Sequence, residues 1–313
     1  MKIAIVGCGA MGSVYATLLG AAGHEVWAID RWREHIDAIR AKGLRLEGPS
    51  GDRTVRVNAS TEARAAGECD LVILATKAMH VGDAAKAIAP LLKKETPVLS
   101  IQNGLGGPDS AAAVLGKERV MVGVVGGFGA SMRAPGHAHH NGWELVRLGE
   151  YGEMSGGPIT PRLRMVEELW RGAGFRVKLF DDIDQLVWEK LLCNCAYSGP
   201  CALSERTIGE VMDDPDLSCV SAACASEGFR VAKQKGIKLG FDDPVAYVRD
   251  FGAKIPKARP SVLLDLIARR KSEIDVINGS IPRVAHSLGM AAPVNETVTA
   301  LLREKERRLE CRS

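Results

Sequence analysis

Short apolar runs alternate with segments of helical period through the first half of the chain. Lys2–Val6 reads as a buried strand, and a small-residue helix follows over Ala10–Ala22, closed by Gly23 just past its end. Glu25–Ile29 is a second strand, and Arg33–Ala41 is an exposed helix ending at Gly43. In the more polar stretch beyond it, Leu44–Glu47 and Thr54–Val57 predict a hairpin around Gly48-Pro49-Ser50-Gly51. Leu71–Ala75, Pro97–Ile101 and Val120–Val125 are continuous apolar strands, with a helix over Val81–Leu92 between the first two. Such strands, alternating with helices, predict a parallel sheet covered on both faces. Gly127–Glu150, rich in Gly and His and without helical period, reads as antiparallel strands finishing the first domain. Pro161–Ala173 is a helix and Phe175–Phe180 a last strand or linker. From Asp182 the pattern is helical nearly to the end, interrupted at Gly199-Pro200, Asp213-Asp214-Pro215, Gly240, Pro256, Pro260 and Pro293. The expected chain is α/β, with a doubly wound sheet over residues 1–180 and an all-α domain over 181–313.

The length of 313 residues suits two domains at about 100–200 residues each. With 41 basic against 38 acidic residues, the formal charge of +3 is too balanced to suggest a nucleic-acid or membrane partner. The basic clusters, Arg269-Arg270-Lys271 and Arg303–Arg308, sit beside acids and read as solvated helix faces. The apolar run Ile3–Val6 is too short for a signal peptide and is broken at once by glycine. No stretch reaches the roughly 18 apolar residues of a membrane span. The eight cysteines, at 8, 69, 193, 195, 201, 219, 224 and 311, form no C-x-x-C pair. Reduced thiols and a cytoplasmic location follow, with Cys193 and Cys195 packed in a helix rather than reactive. The second domain could support a homodimer, on a surface the pattern does not locate.

Gly7-Cys8-Gly9-Ala10-Met11-Gly12 fits G-x-G-x-x-G between a strand and a helix, the context of a Rossmann dinucleotide fingerprint. Gly7 makes the tight turn, Gly9 admits the pyrophosphate to the backbone, and Gly12 lets helix and strand pack closely. The amides opening the helix face the phosphates. Asp30, at the end of the second strand, can hold the ribose hydroxyls and speaks for NAD. Arg31 could clamp a 2′-phosphate and speaks for NADP. Asp30 turned toward Arg31 or Arg33 would leave the site open to NADP.

Lys77 and Gln102-Asn103-Gly104 fall at the carboxyl ends of parallel strands, where ligands of open α/β sheets bind. A surface lysine and an Asn-Gly turn are the plain alternatives. In the helical half, Lys190, Asn194 and Ser198 share a helix face in a segment rich in Leu, Cys and Ala, which suggests a wet cleft or a simple solvent face. Glu273 and Asp275 read by default as exposed helix carboxylates. His137 and His139 would share a strand face, with no acid or cysteine at ligand spacing, so no metal site is expected.

Together these segments resemble the ketopantoate reductase family, in order and over nearly the whole chain. The resemblance rests on Gly7–Gly12, Lys77, Gln102-Asn103-Gly104, Pro135-Gly136 with His140, Lys190 with Asn194, Ser261, Glu273 with Asp275, Asn278-Gly279 and Pro293-Val294-Asn295. It implies a Rossmann-type first domain, an all-α second domain, a cleft between them, and NADPH as the usual reductant of a small 2-oxo acid. It implies that Lys190 is the general acid and that Glu273 helps hold substrate or cofactor. Asn103, Asn194, Ser198 and Ser261 would contact substrate. Lys77, Asn103 and Gly129 would lie at the cofactor with Cys8, Ala10 and Met11 of the fingerprint. The chemistry agrees: hydride attack on a keto carbon builds charge on oxygen, which an ammonium stabilises and protonates. Lysine's ordinary pKa of about 10.4 would have to fall through desolvation or a cationic neighbour.

Three departures bear on substrate and cofactor. Ser198 opens Ser198-Gly199-Pro200-Cys201-Ala202-Leu203 where the family usually has asparagine. Ile208 stands where some members carry a second asparagine, and Asp30 where the usual residue is neutral. Losing polar partners for a substrate hydroxyl favours less polar 2-oxo acids over ketopantoate. A non-catalytic dinucleotide sensor would explain the fingerprint but not Lys190, Asn194, Ser261 and Glu273 together.

Overall fold

The computed structural model describes residues 1–126, 129–142, 145–152 and 155–310. Contacts divide the chain into two units, Met1–Gln102 with Gly107–Ile183, and Asn103–Gly106 with Asp184–Ser313. The second unit begins at Asp184 rather than 181 and includes a four-residue loop from the first half.

The first unit runs β1 (Lys2–Val6), α1 (Ala10–Ala21), β2 (Glu25–Ile29), α2 (Arg33–Lys42), β3 (Leu44–Glu47), β4 (Arg53–Val55), β5 (Asn58–Ser60), β6 (Leu71–Leu74), α3 (Val81–Ala87), β7 (Val98–Ser100), α4 (Gly107–Leu115), β8 (Val120–Val125), β9 (Ala130–Ala134), β10 (His137–His140), β11 (Leu145–Glu150), α5 (Pro161–Gly172) and β12 (Arg176–Leu179). Its main sheet has the order β12-β11-β8-β7-β6-β1-β2-β5. All neighbours are parallel except the β8–β11 pair. Ile3 and Ile5 pack into one apolar layer and Ala4 and Val6 into another, as period-2 side chains must when both faces are covered.

Residues 130–150 do more than finish that sheet. β9 and β10 are antiparallel, but β10 pairs in parallel with β3, building a separate sheet of order β4-β3-β10-β9. Its inward Leu44, Leu46 and Ala138 are fully buried with the α1 residues Val14, Leu18 and Leu19 in one apolar layer. Only β11 of this stretch joins the main sheet.

The second unit holds α6 (Ile183–Ser204, whose first residue belongs to the first unit), α7 (Ile208–Asp213), α8 (Pro215–Gln234), α9 (Pro244–Lys254), α10 (Ser261–Ile267), α11 (Ser280–Ser287) and α12 (Pro293–Glu310). The stops are local chemistry. Thr207 and Glu210 form a capping box at α7, and Asp214 and Asp243 cap α8 and α9 ahead of a first-turn proline. Gly199-Pro200 does not interrupt α6, which continues through Pro200 to Ser204. An internal proline costs about 3 kcal/mol. Burial of Cys195, Ala196, Tyr197, Cys201 and Ala202 on several sides of the helix offsets it. No described helix is long and apolar enough to cross a membrane.

Candidate active site

In the first unit, the loop between β1 and α1 forms a cradle for an anion. Gly7 has φ 93°, and a β-carbon there would strike the Thr76 backbone. The Gly7 and Cys8 amides donate to Ile29 O at 2.8 and 3.2 Å, fixing the loop to the end of β2. A β-carbon on Gly12 would collide with the Gly7 carbonyl, whereas one on Gly9 would meet open space. Gly9 is the N-cap of α1, no side chain caps it, and the first turn holds no acid. Its orphan amides, with the positive end of the helix dipole behind them, suit a pyrophosphate. Ala10 and Met11, half-buried, continue this rim. Thr76 Oγ1 is buried without a partner beside Gly7, a further group to which a bound nucleotide could offer a bond. These features fit a dinucleotide. Cys8, wholly buried, has its thiol pushed up to about 12 by desolvation, so it lines the loop as an inert apolar residue.

Asp30 follows β2. Its Oδ1 accepts the Trp32 amide at 2.9 Å, and it forms no ion pair with Arg31, Arg33 or any other described residue. Exposed Arg31 likewise has no acidic partner among the described residues. The carboxylate is therefore not turned into an internal pair. Lys77 is half-buried just beyond β6, and Gly129 precedes β9, with its carbonyl accepting Asn141 N at 2.7 Å.

Two further residues support this cradle, in roles that the sequence pattern does not assign. Buried His35 accepts the Gly136 amide on Nδ1 at 2.9 Å and faces Ser13 Oγ with Nε2 at 3.4 Å. Desolvation lowers its pKa below the usual 6.5, partly opposed by Asp30. Trp32, 37% exposed, stacks on its ring at 4.9 Å and 14°. Gln102 donates from Nε2 to Leu74 O at 2.6 Å and to Thr76 O at 3.3 Å, binding the turns after β6 and β7 together. The alternation of apolar residues carries no signal for either role.

In the second unit, α6 presents Lys190 and Asn194, both half-buried, and Ser198, 3% exposed, at successive i,i+4 positions. Lys190 Nζ donates to Asn103 Oδ1 at 2.8 Å, joining residues 87 apart in sequence. Asn103 is presented by its own loop. Leu105 N donates to Val276 O at 2.9 Å, Arg283 Nη2 donates to Leu105 O at 3.4 Å, and Gly104, φ 76°, lies so close to the Val276 carbonyl that no β-carbon fits. Asn194, Ser198 and Ser261 make no side-chain hydrogen bond to a described residue, which leaves their polar groups available to a ligand. Ser261, exposed, opens α10.

Glu273 and Asp275 are not exposed helix carboxylates. They lie in a turn, where Glu273 is only 8% exposed and Asp275 is paired with Arg303 of α12 at 2.6 Å. Asn278 and Asn295 are structural. Asn278 Nδ2 donates to Cys195 O and Asn295 Oδ1, both at 2.9 Å, and Asn295 Nδ2 donates to Cys224 O at 3.0 Å and Glu227 Oε2 at 2.9 Å. This buried network ties α6, α8 and α12 together.

His137 Nε2 lies 3.1 Å from Glu47 Oε2, and no group of three metal-binding side chains occurs among the described residues. Described cysteines are free thiols, and Cys311 lies outside the described residues. Burial raises Cys193 to about 12 and Cys195 well above the ordinary value, which argues against reactivity.

Comparison with known proteins matches both units of the chain. The family model of ketopantoate reductase PanE/ApbA matches residues 3–153, and that of its C-terminal part matches residues 182–306. A 2-dehydropantoate 2-reductase of Streptococcus pyogenes serotype M3 is 30% identical over 308 residues, 98% of each chain. That of Pyrococcus horikoshii is 30% identical over 306 residues, again 98% of each. The crystal structure of a PanE/ApbA family ketopantoate reductase from Ralstonia eutropha JMP134 superposes with TM-score 0.90 at 34% identity, covering 99% of this chain and all of that one. The ternary structure of D-mandelate dehydrogenase with NADH and anilino(oxo)acetate has TM-score 0.90 at 29% identity, covering 99% of each chain.

Proposed function

The chain belongs to the ketopantoate reductase family and is an NAD(P)-dependent oxidoreductase, and from that premise we propose that it reduces the keto group of ketopantoate, with Lys190 as proton donor. The observation that carries the reading is the 2.8 Å bond from Lys190 Nζ to Asn103 Oδ1. An amide oxygen can only accept here, so the bond fixes the direction in which the Lys190 amino group points. A bound nicotinamide supplies hydride to the keto carbon. As charge grows on the carbonyl oxygen, Lys190 stabilises it and passes its proton, leaving an alcohol and a neutral amine that solvent reprotonates. Asn194, Ser198 and Ser261 offer amide and hydroxyl donors to the substrate carboxylate. Glu273, buried and acidic, completes the proposed set. Lys77, Asn103 and Gly129 are assigned to the cofactor with the Gly7–Gly12 loop.

A second reading, reduction of a less polar 2-oxo acid with NADH, is favoured by specific residues. Ile208 is 3% exposed and packed in the helical core, so it offers no polar contact, and Ser198 is shorter than the asparagine usual there. The Asp30 carboxylate would repel a 2′-phosphate and bind the hydroxyls of NADH. D-mandelate dehydrogenase, solved with NADH, has the same fold. The experiment is NADH and NADPH oxidation against ketopantoate, 2-oxo-2-phenylacetate and a branched aliphatic 2-oxo acid. The first reading expects ketopantoate to have the highest kcat/KM. A higher value for the phenyl acid would replace it by the second, and no turnover of any 2-oxo acid would remove both.

A further inference from the structure

A cavity that none of the proposed catalytic residues lines opens in the second unit among α6, α7, α8 and α9. Its volume is about 190 Å³, below the roughly 300–1,000 Å³ of sites for drug-sized ligands, so only a small ligand fits. At Gly252 of α9, Tyr197 and Met212 approach so closely that a β-carbon would strike both. The walls are largely apolar, from Tyr197, Met212, Val245 and Val248.

Most of the polar atoms around it are already bonded. Tyr197 Oη donates to Val248 O at 2.7 Å, and Ser218 Oγ donates to Pro215 O at 3.0 Å. Two groups are not. Ser221 lines the cavity, is only 5% exposed, and its hydroxyl makes no hydrogen bond to a described residue. The Ser221 oxygen is not shut off from solvent, and it offers a donor to a ligand oxygen in the cavity. Arg249 is exposed at the same cavity and forms no ion pair with a described residue. A cation and a hydroxyl donor facing one space call for an anion, and the apolar walls call for a hydrocarbon body.

We propose that this cavity binds a small organic anion with an apolar body, its carboxylate held by Arg249 and Ser221 Oγ. The site is independent of the reductase reading. Cys219, exposed and lining the same cavity, reports on occupancy. The test uses the full chain, octanoate as probe, and iodoacetamide labelling of Cys219 followed by peptide mass. At four times its dissociation constant octanoate slows labelling about fivefold by mass action, and the effect saturates. Octan-1-ol and octylamine, lacking the anion, give little protection. Arg249→Met raises the half-saturating octanoate concentration about tenfold, as loss of a charge-assisted contact predicts. Ala222→Phe, which fills the space, abolishes protection in protein that keeps its circular dichroism. Labelling that octanoate does not slow, protection equal with octylamine, or protection unchanged in Arg249→Met would each overturn the proposal. The arginine variant decides the matter even if Ala222→Phe fails to fold.

Discussion

The nucleotide cradle and the Lys190 cluster are held by different physics. The cradle is backbone, shaped by three missing side chains within six residues, Gly7, Gly9 and Gly12. The cluster is side chains, and its central bond joins residues 87 apart, with the Asn103 loop hung on Val276 and Arg283. A site of the first kind fails when atoms are added. A site of the second kind fails when atoms are removed. The two should therefore break through opposite substitutions and in different measurements.

The largest effect is expected from removal in the cluster. Lys190→Ala should lower kcat by about 10²–10⁴, the usual worth of a positioned acid. Fluorescence titration should find NADH affinity nearly unchanged. Turnover close to that of the parent would end the proposed mechanism, and a loss confined to cofactor affinity would move Lys190 into the cradle. Addition in the cradle comes next. Gly12→Val drives a side chain against the Gly7 carbonyl. Overpacking of this kind costs about 1–3 kcal/mol, which corresponds to about 5- to 150-fold in NADH affinity if expressed there. Normal NADH binding by a folded Gly12→Val chain would show that the close approach is not needed.

Asp30→Ala tests a charged side chain at the end of β2 rather than a backbone dipole. Loss of a charged hydrogen bond to the ribose should weaken NADH by about tenfold or more, while NADPH use improves through removal of repulsion. An unchanged preference ratio would place Asp30 away from the ribose. The smallest effect concerns His35. Its folded pKa lies below the unfolded value of 6.5, so the unfolded chain binds the proton more readily. The stability of neutral His35 is thus complete above pH 6.5 and is lost as pH falls toward the folded pKa. Protonation would also set a second donor against the Gly136 amide. The Tm of the parent should fall over this window more steeply than that of His35→Gln, and parallel curves would show that His35 is not a titrating support.

Most of the main sheet was legible because its central strands are short apolar runs that alternate with segments of helical period, signals that lie within a few residues. The second sheet was not. β10 pairs with β3 across some ninety residues, and nothing local to His137–His140 encodes that partner. α4 escaped because Gly106-Gly107-Pro108 reads as a loop, although proline is welcome in a first helical turn. Pro200 misled in the other direction, since tertiary packing outweighs local propensity there. In the site, the fingerprint was readable from spacing alone, and Lys190 with Asn103 only through resemblance. Glu273 and Asp275 sit two apart yet differ in burial and partner, a distinction set by α12 and Arg303 rather than by their neighbours.

The loop 103–106 leaves the first unit after Gln102, docks on Val276 and Arg283, and returns at Gly107. A chimera joined at residue 184 would therefore separate the ammonium from its amide acceptor. Recombination between relatives should preserve function only when the tetrapeptide Asn103-Gly104-Leu105-Gly106 and the helical half descend from the same parent. The unit of inheritance here is not a contiguous stretch of gene.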